Sequence, residues 1–249
     1  MCGRFNVMDD PLTRILCEQL GLFDQQQFNQ QPSNLRFSDD VAPASTISII
    51  KQDNSARESR HIGDAIWWLL LEKNQGQAQG QNQAQNQTQY KANYKYASFN
   101  SRWDKLNTPR AIAYQPYRES RCIIPASSFV EGQDKRYYHL KPENSAIGFG
   151  GLYKSWVNEN SGEVIHSASI ITLAGNPKLE HIHRKSVPLM LPMDNTRLTD
   201  AWLDPNFKRL DKFEPFFQPI LRQNLIATPI DKPSKRNPIG LAETIAADL

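Results

Sequence analysis

Hydrophobic and polar positions alternate with two different periods along the chain. Leu12, Ile15, Leu16 and Leu20 recur at helical spacing, which predicts a helix over residues 10–20. Pro11 suits its first turn and Gly21 its stop. Cys17 belongs to this helix and is expected at the core or its boundary. Residues 24–34, rich in Gln, Asn, Pro and Ser, read as loop. Val41-Ala42-Pro43-Ala44 then leads into a strand over 46–51, and 65–71, with Trp67 and Trp68, is a second strand. Strand-like sequence resumes at Tyr94 and continues through 96–100. A polar connection over 104–120 follows, then a strand over 121–131 around Cys122-Ile123-Ile124. Further strands are predicted over 137–140, 146–153, 166–173 and 187–191, separated by turn-rich links such as Lys141-Pro142-Glu143-Asn144. Residues 198–203 predict a short helix, and 213–230 a helix followed by a final strand. So many short strands with few helices predict an α+β fold: mostly antiparallel sheets closing into a barrel-like arrangement, with peripheral helices.

One stretch fits neither period. Glutamine occupies every odd position from Gln75 to Gln89, with Ala, Asn, Gly and Thr between. Such a tract cannot bury enough apolar surface to offset its ordering entropy. It reads as a surface insertion, at about 74–89, joining two strands of one sheet inside a single domain spanning 1–249. A chain of 249 residues with 39% hydrophobic content can bury a sizeable core. No apolar run reaches the length of a membrane span. Met1-Cys2 is followed by neither a basic region nor an apolar one of the kind that makes a signal peptide. Three widely spaced cysteines make no disulfide framework, so a reducing cytoplasm is the expected location. The net charge of +3 permits a nucleic-acid partner without demanding one.

The candidate chemistry begins at the amino terminus. Cys2 is small enough to allow removal of Met1. The mature chain then starts with a free amine and a thiol on adjacent carbons, with ordinary pKa values of about 8 and about 8.5. The amine attacks an aldehyde to give an imine, and the neighbouring thiol closes a thiazolidine ring intramolecularly. Gly3 permits close backbone approach, Arg4 sets a permanent cation beside the nucleophile, and Phe5 can pin the terminus into a core. Asn100-Ser101-Arg102 reads either as a strand-to-loop turn or as an amide and a guanidinium facing a sugar and a phosphate. Glu131, after an apolar run, is either a solvated strand end or a desolvated acid/base. In an extended segment His181 and His183 share one face, and one of them is a candidate general acid. No cysteine or carboxylate cluster accompanies them, so no metal is expected. GxGxxG, P-loop, CxxC and HExxH motifs are missing, so no cofactor is expected either.

Taken in order, the motifs resemble those of the SRAP family. They are Met1-Cys2-Gly3-Arg4-Phe5, Val41-Ala42-Pro43, Trp67, Phe99-Asn100-Ser101-Arg102, Arg121-Cys122-Ile123-Ile124-Pro125-Ala126 with Phe129-Val130-Glu131, Gly151-Leu152-Tyr153, and Ile182-His183 before Val187-Pro188-Leu189-Met190-Leu191. The resemblance spans Cys2 to about Pro238. It implies a monomeric protein that crosslinks to abasic sites in single-stranded DNA. Cys2 then forms the thiazolidine with the ring-opened sugar, Asn100 holds the sugar or the amine, and Glu131 moves protons in imine formation and in release of Met1. His183 protonates the ring oxygen. Arg4, Pro43 and Arg102 contact the DNA, and Trp67 or Trp68 stacks on a base. The chain departs from the family pattern in Trp68 for a glycine, Ser101 for an alanine and Gly132 where tryptophan is common. One extra residue before Pro188 keeps His181 as the other candidate acid. Two rival readings are an N-terminal-nucleophile amidohydrolase of the glutamine amidotransferase type and a non-catalytic single-strand-binding module. The first needs an oxyanion hole, commonly built on Asn-Gly, and the chain contains no such dipeptide.

Overall fold

The computed structural model describes residues 3–22, 34–74, 90–159 and 161–248. The chain opens with β1 (Arg4–Val7), α1 (Pro11–Gln19), β2 (Ser38–Val41), β3 (Thr46–Gln52), β4 (Arg60–Ile66), β5 (Leu71–Lys73), β6 (Tyr90–Ala92) and β7 (Asn100–Arg102). It continues with α2 (Tyr114–Glu119), β8 (Arg121–Ala126), β9 (Ser128–Gln133), β10 (Arg136–Pro142), β11 (Ile147–Val157) and β12 (Val164–Ala174). It ends with α3 (Glu180–His183), β13 (Ser186–Pro188), α4 (Thr196–Leu203), β14 (Leu225–Ile230) and β15 (Glu243–Ile245).

Five strands close into a barrel in the order β11-β8-β3-β4-β12, with β12 returning to β11. The β4–β12 contact is parallel, through Ser167 and Ile66, and the other four pairings are antiparallel. Ile49, Ile50, Ile123, Ile124, Phe149, Ile170 and Ile171 are fully buried in this ring. A second, open sheet runs β15-β14-β10-β9-β1-β2 and is antiparallel throughout. Phe5 and Phe129 of the open sheet meet Phe149 of the barrel edge-on, at 6.2 and 5.8 Å between ring centres. The expected α+β architecture is present, with its barrel and peripheral helices.

Local chemistry explains where the elements stop. Asp10 accepts from the Thr13 amide at 2.8 Å and caps α1, Pro11 occupies its first turn, and Gly21 follows it at φ +71°. The buried face of α1 is Thr13, Leu16 and Cys17, so Ile15, expected on the apolar face, is instead 40% exposed. The strand expected over 121–131 is two strands in different sheets. Ser127 breaks it by donating its amide to the Asn6 carbonyl at 2.8 Å and accepting at Oγ from the Met8 amide at 2.8 Å. The strand expected over 65–71 ends at Ile66, because Trp67 turns to pair its backbone with Ser45 and Ala44. After the glutamine tract the strand is Tyr90–Ala92, and Tyr94 lies in the turn beyond it. β5 and β6 flank the tract and pair antiparallel, Leu71 opposite Ala92, as two strands of one sheet. Residues 75–89 themselves lie outside the described residues. Helix α2 falls inside the stretch read as polar connection. Among the described residues no helix is long and apolar enough to cross a membrane.

Candidate active site

Register brings the first strand alongside the end of β9 that carries Glu131. In the β1–β9 pair Arg4 faces Val130 and Phe5 faces Phe129. Continued by one residue, this register sets Gly3 opposite Glu131. Met1 and Cys2 lie outside the described residues. An aromatic wall fixes β1. Phe5, 1% exposed, meets Trp67 edge-on at 4.9 Å between ring centres. The Trp67 indole N–H donates to the Phe99 carbonyl at 2.9 Å. The next residue is Asn100, half-buried on β7 and held opposite Ile170 of β12. Three segments distant in sequence are thereby locked together: the amino-terminal strand, the Trp67 turn and Asn100.

This arrangement corrects the expected role of the two tryptophans. Trp67 has no exposed surface, and Trp68 is 6% exposed, with its N–H on the Asn93 carbonyl at 3.0 Å. Neither offers a ring face to a base, and both support the wall. Pro43 sits half-buried in the adjoining turn, where the Ser45 amide donates to the Ala42 carbonyl at 3.1 Å and Ala44 adopts φ +70°. Proline second and a left-handed residue third is the type II pattern.

Glu131 is buried at 5% exposure, and burial pushes its carboxyl up to about 7. It ends the well-packed part of β9, just before the two-residue turn Asp134–Lys135, whose φ values of 52° and 64° make a tight hairpin. Gly132 follows it, because a Cβ there would lie 2.3 Å from the Arg136 carbonyl oxygen across that hairpin. The Gly132 carbonyl accepts from His183 Nδ1 at 2.9 Å, and His183 Nδ1 lies 4.0 Å from Glu131 Oε2. Because Nδ1 carries the proton, the lone pair of the neutral ring is at Nε2. Burial lowers the His183 pKa, so the neutral imidazole dominates near pH 7.

The histidines are not on an extended segment. They belong to the single turn α3, which rotates positions two apart by about 200°. His181 therefore points elsewhere, half-exposed, with Nε2 2.7 Å from Glu243 Oε1. Of the two, it is His183 that approaches Glu131. Gln133 clamps this turn onto β9: its Nε2 donates to the Glu180 carbonyl at 2.7 Å, and its Oε1 accepts from the Arg184 amide at 3.1 Å. Gly175 lets the turn dock, since a Cβ there would lie 2.0 Å from the Arg184 carbonyl oxygen. Sequence reasoning missed Gln133, and nothing local to it signals the role.

Arg4 pairs with Asp40, and Arg102 makes a two-pronged contact with Asp104 at 2.9 and 2.7 Å while its side chain stays 68% exposed. Such exposed pairs are weak, so a phosphate can displace the carboxylates. Cys17 and Cys122 are buried free thiols whose pKa values burial raises, the first to about 12. Neither is a nucleophile near neutral pH. Among the described residues no group of three or more His, Cys, Asp or Glu side chains could hold a metal ion.

A sequence model of the family described as SOS response associated peptidase (SRAP) matches residues 1–234. The protein named abasic site processing protein YoqW, of Bacillus subtilis, is 25% identical over 248 residues, covering 96% of this chain and 97% of its own. YoaM of the same organism, also named an abasic site processing protein, is 27% identical over 228 residues, covering 88% and 86%. A solved structure from Bacteroides thetaiotaomicron has a TM-score of 0.64 at 18% identity, covering 95% of this chain and all of that one. One from Bordetella bronchiseptica has a TM-score of 0.62 at 17% identity, covering 92% and 99%. These two show a shared fold, and the family model, matched over nearly the whole chain, settles the relationship: the chain belongs to the SRAP family.

Proposed function

We propose that the protein processes abasic sites in single-stranded DNA by covalent capture on Cys2. One observation carries this reading. The β1–β9 register sets the start of β1 beside the end of β9 that carries a buried carboxyl titrating near neutrality, and a neutral imidazole adjoins that carboxyl. The relatives named abasic site processing proteins support it.

The reaction starts once Met1 is removed, a cleavage in which Glu131 acts as the proton carrier. The Cys2 amine attacks the aldehyde carbon, and Glu131 takes the proton the nitrogen sheds. Glu131 passes that proton to the alkoxide, giving a carbinolamine, and then relays the second nitrogen proton to the resulting hydroxyl, which leaves as water and gives an imine. The Cys2 sulfur adds to the imine carbon, its proton passes to nitrogen, and a thiazolidine results. One water is released overall, and no cofactor enters. A carboxyl with a pKa near 7 is suited to both halves of this exchange. His183 acts earlier, on the closed sugar: its neutral imidazole takes the proton of the anomeric hydroxyl at Nε2 and delivers it to the ring oxygen as the bond between that oxygen and the anomeric carbon breaks, leaving the aldehyde. The depressed pKa makes its imidazolium a stronger acid than free imidazole. Asn100 orients the sugar or the amine, Arg4 and Arg102 exchange their carboxylates for phosphates, and Pro43 shapes the adjoining surface.

The test is a denaturing gel of protein mixed with abasic single-stranded DNA. Cys2→Ala is expected to yield no heat-stable adduct, because the amine alone leaves a hydrolysable imine. Cys17→Ala and Cys122→Ala retain the adduct. A heat-stable adduct from Cys2→Ala at the wild-type yield overturns the proposal.

A further inference from the structure

The β1–β2 pair contains a defect. Phe5 faces Val41 and Val7 faces Ser38, so one residue on β1 opposes two, Asp39 and Asp40, on β2. A bulge of this kind leaves backbone groups outside the ladder. A side chain from the far end of the chain meets them. Arg236 donates to the Asp39 carbonyl and, at 3.2 Å, to the Phe5 carbonyl. Its Nη2 also lies 3.3 Å from Asp40 Oδ1, the carboxylate that pairs with Arg4. The Arg236 side chain is 12% exposed.

The backbone around Arg236 is built to place it there. Arg236 adopts φ +56°, a conformation costly for a residue with a Cβ. A small closed loop enforces it: the Asp231 carboxylate accepts from the Lys232 amide at 2.6 Å, from the Asn237 amide at 3.1 Å and from the Asn237 side chain at 2.9 Å. The Arg236 amide donates to the Lys232 carbonyl at 2.9 Å, which completes the turn. The guanidinium meanwhile leaves its buried Nε without a partner. Strain in the backbone and an unmet donor in the head group are both accepted so that the other nitrogens reach β1 and β2. Arg236 also lies beyond residue 234, where the family match ends.

We infer that Arg236 is a positioning residue that fixes the amino-terminal strand, and through it the nucleophile joined to Gly3, against Glu131. The inference rests on the reading of Cys2 as nucleophile. Arg236 fills the bulge, ties the Phe5 carbonyl to β2 and, through Asp40, sets the orientation of Arg4. It touches no reacting atom.

The experiment compares wild type, Arg236→Ala, Arg236→Lys and Asp231→Ala by three readouts. These are the rate of heat-stable adduct formation at saturating abasic single-stranded DNA, the affinity for the same DNA without the lesion, and deuterium exchange of the amides at residues 4–8. Misplacing a reacting group by about 1 Å costs on the order of 10²-fold. Arg236→Ala is therefore expected to slow the saturated rate by about 10²-fold, with faster exchange confined to residues 4–8 and their β2 partners. Arg236→Lys keeps the charge but not the fork, so its rate stays low, and in neither variant is the affinity for undamaged DNA expected to change. Asp231→Ala, which frees the loop, shifts rate and exchange in the same direction by less. A wild-type saturated rate in Arg236→Ala, or a defect in affinity alone that Arg236→Lys repairs, overturns the inference and makes Arg236 a DNA contact. If the wild-type chain forms no adduct, the reading of Cys2 fails instead. Exchange at residues 4–8 then still decides whether Arg236 holds the strand.

Discussion

The closed barrel and the open sheet both bury an ionisable group, and they treat it in opposite ways. Arg121 of the barrel strand β8 is 3% exposed. All five of its N–H donors meet carbonyls, those of Trp202, Tyr117, Arg118, Asp204 and Phe207, at 2.7–3.2 Å. Burial lowers its pKa only to about 10, so it remains a cation that staples α2 and the end of α4 to the barrel. Glu131 of β9 is as deeply buried, yet burial carries its carboxyl to about 7. On the same open sheet His139 is pushed down to about 4, beside Ser128. A buried charge fully satisfied by the backbone is structural. A buried charge whose environment moves its titration toward the working pH is poised for chemistry.

The contrast predicts opposite signs for removing the two groups. Arg121→Leu strips partners from five carbonyls and is expected to cost at least about 3 kcal/mol of unfolding free energy, measured by urea titration. A neutral result would mean that water replaces the guanidinium. Glu131→Gln is expected to stabilise. The wild-type carboxyl titrates at about 7 when folded and near 4.5 when unfolded. Below pH 4.5 both states are protonated and nothing is lost. Between pH 4.5 and 7 only the unfolded chain ionises, so stability falls. Above pH 7 the full penalty stands, up to about 3 kcal/mol. Urea titrations at pH 4 and pH 8 should therefore show the variants equal at the lower pH and Glu131→Gln more stable at the higher. The same variant should form adduct about 10²–10⁴-fold more slowly. Equal stability at pH 8 would show that the Glu131 carboxyl is not desolvated.

The two histidines sharpen the comparison at a smaller scale of stability. His183→Ala is expected to slow adduct formation, since it removes the imidazole beside Glu131. His181→Ala should leave the rate unchanged and shift stability by less than about 1 kcal/mol, because its pair with Glu243 is half-exposed. A slow His181→Ala with a normal His183→Ala would reverse the assignment.

What the sequence disclosed follows from which interactions are local. The apolar spacing, first-turn proline and glycine stop of α1 lie within a dozen residues, and the helix is read correctly from them. The order of short apolar runs gives the α+β class and most strands. The break at Ser127 is invisible because its partners, Asn6 and Met8, come from the other end of the chain. Helix α3 is a single turn held by Gln133 and Gly175, and its own residues carry no helical period. Glu131 and His183, far apart in sequence, come within 4.0 Å of each other. The resemblance implies that Trp67 or Trp68 stacks on a base, whereas the fold buries both. Arg236 is unreadable in advance, since its meaning depends on a bulge between two strands near the opposite terminus.

The central claim is that Cys2 is the captured residue. Mass analysis of the digested adduct with abasic single-stranded DNA tests it most directly. The account predicts one modified peptide, beginning at Cys2 without Met1 and carrying the DNA fragment less one water. A modified lysine peptide, or a modified peptide that still carries Met1, would contradict it.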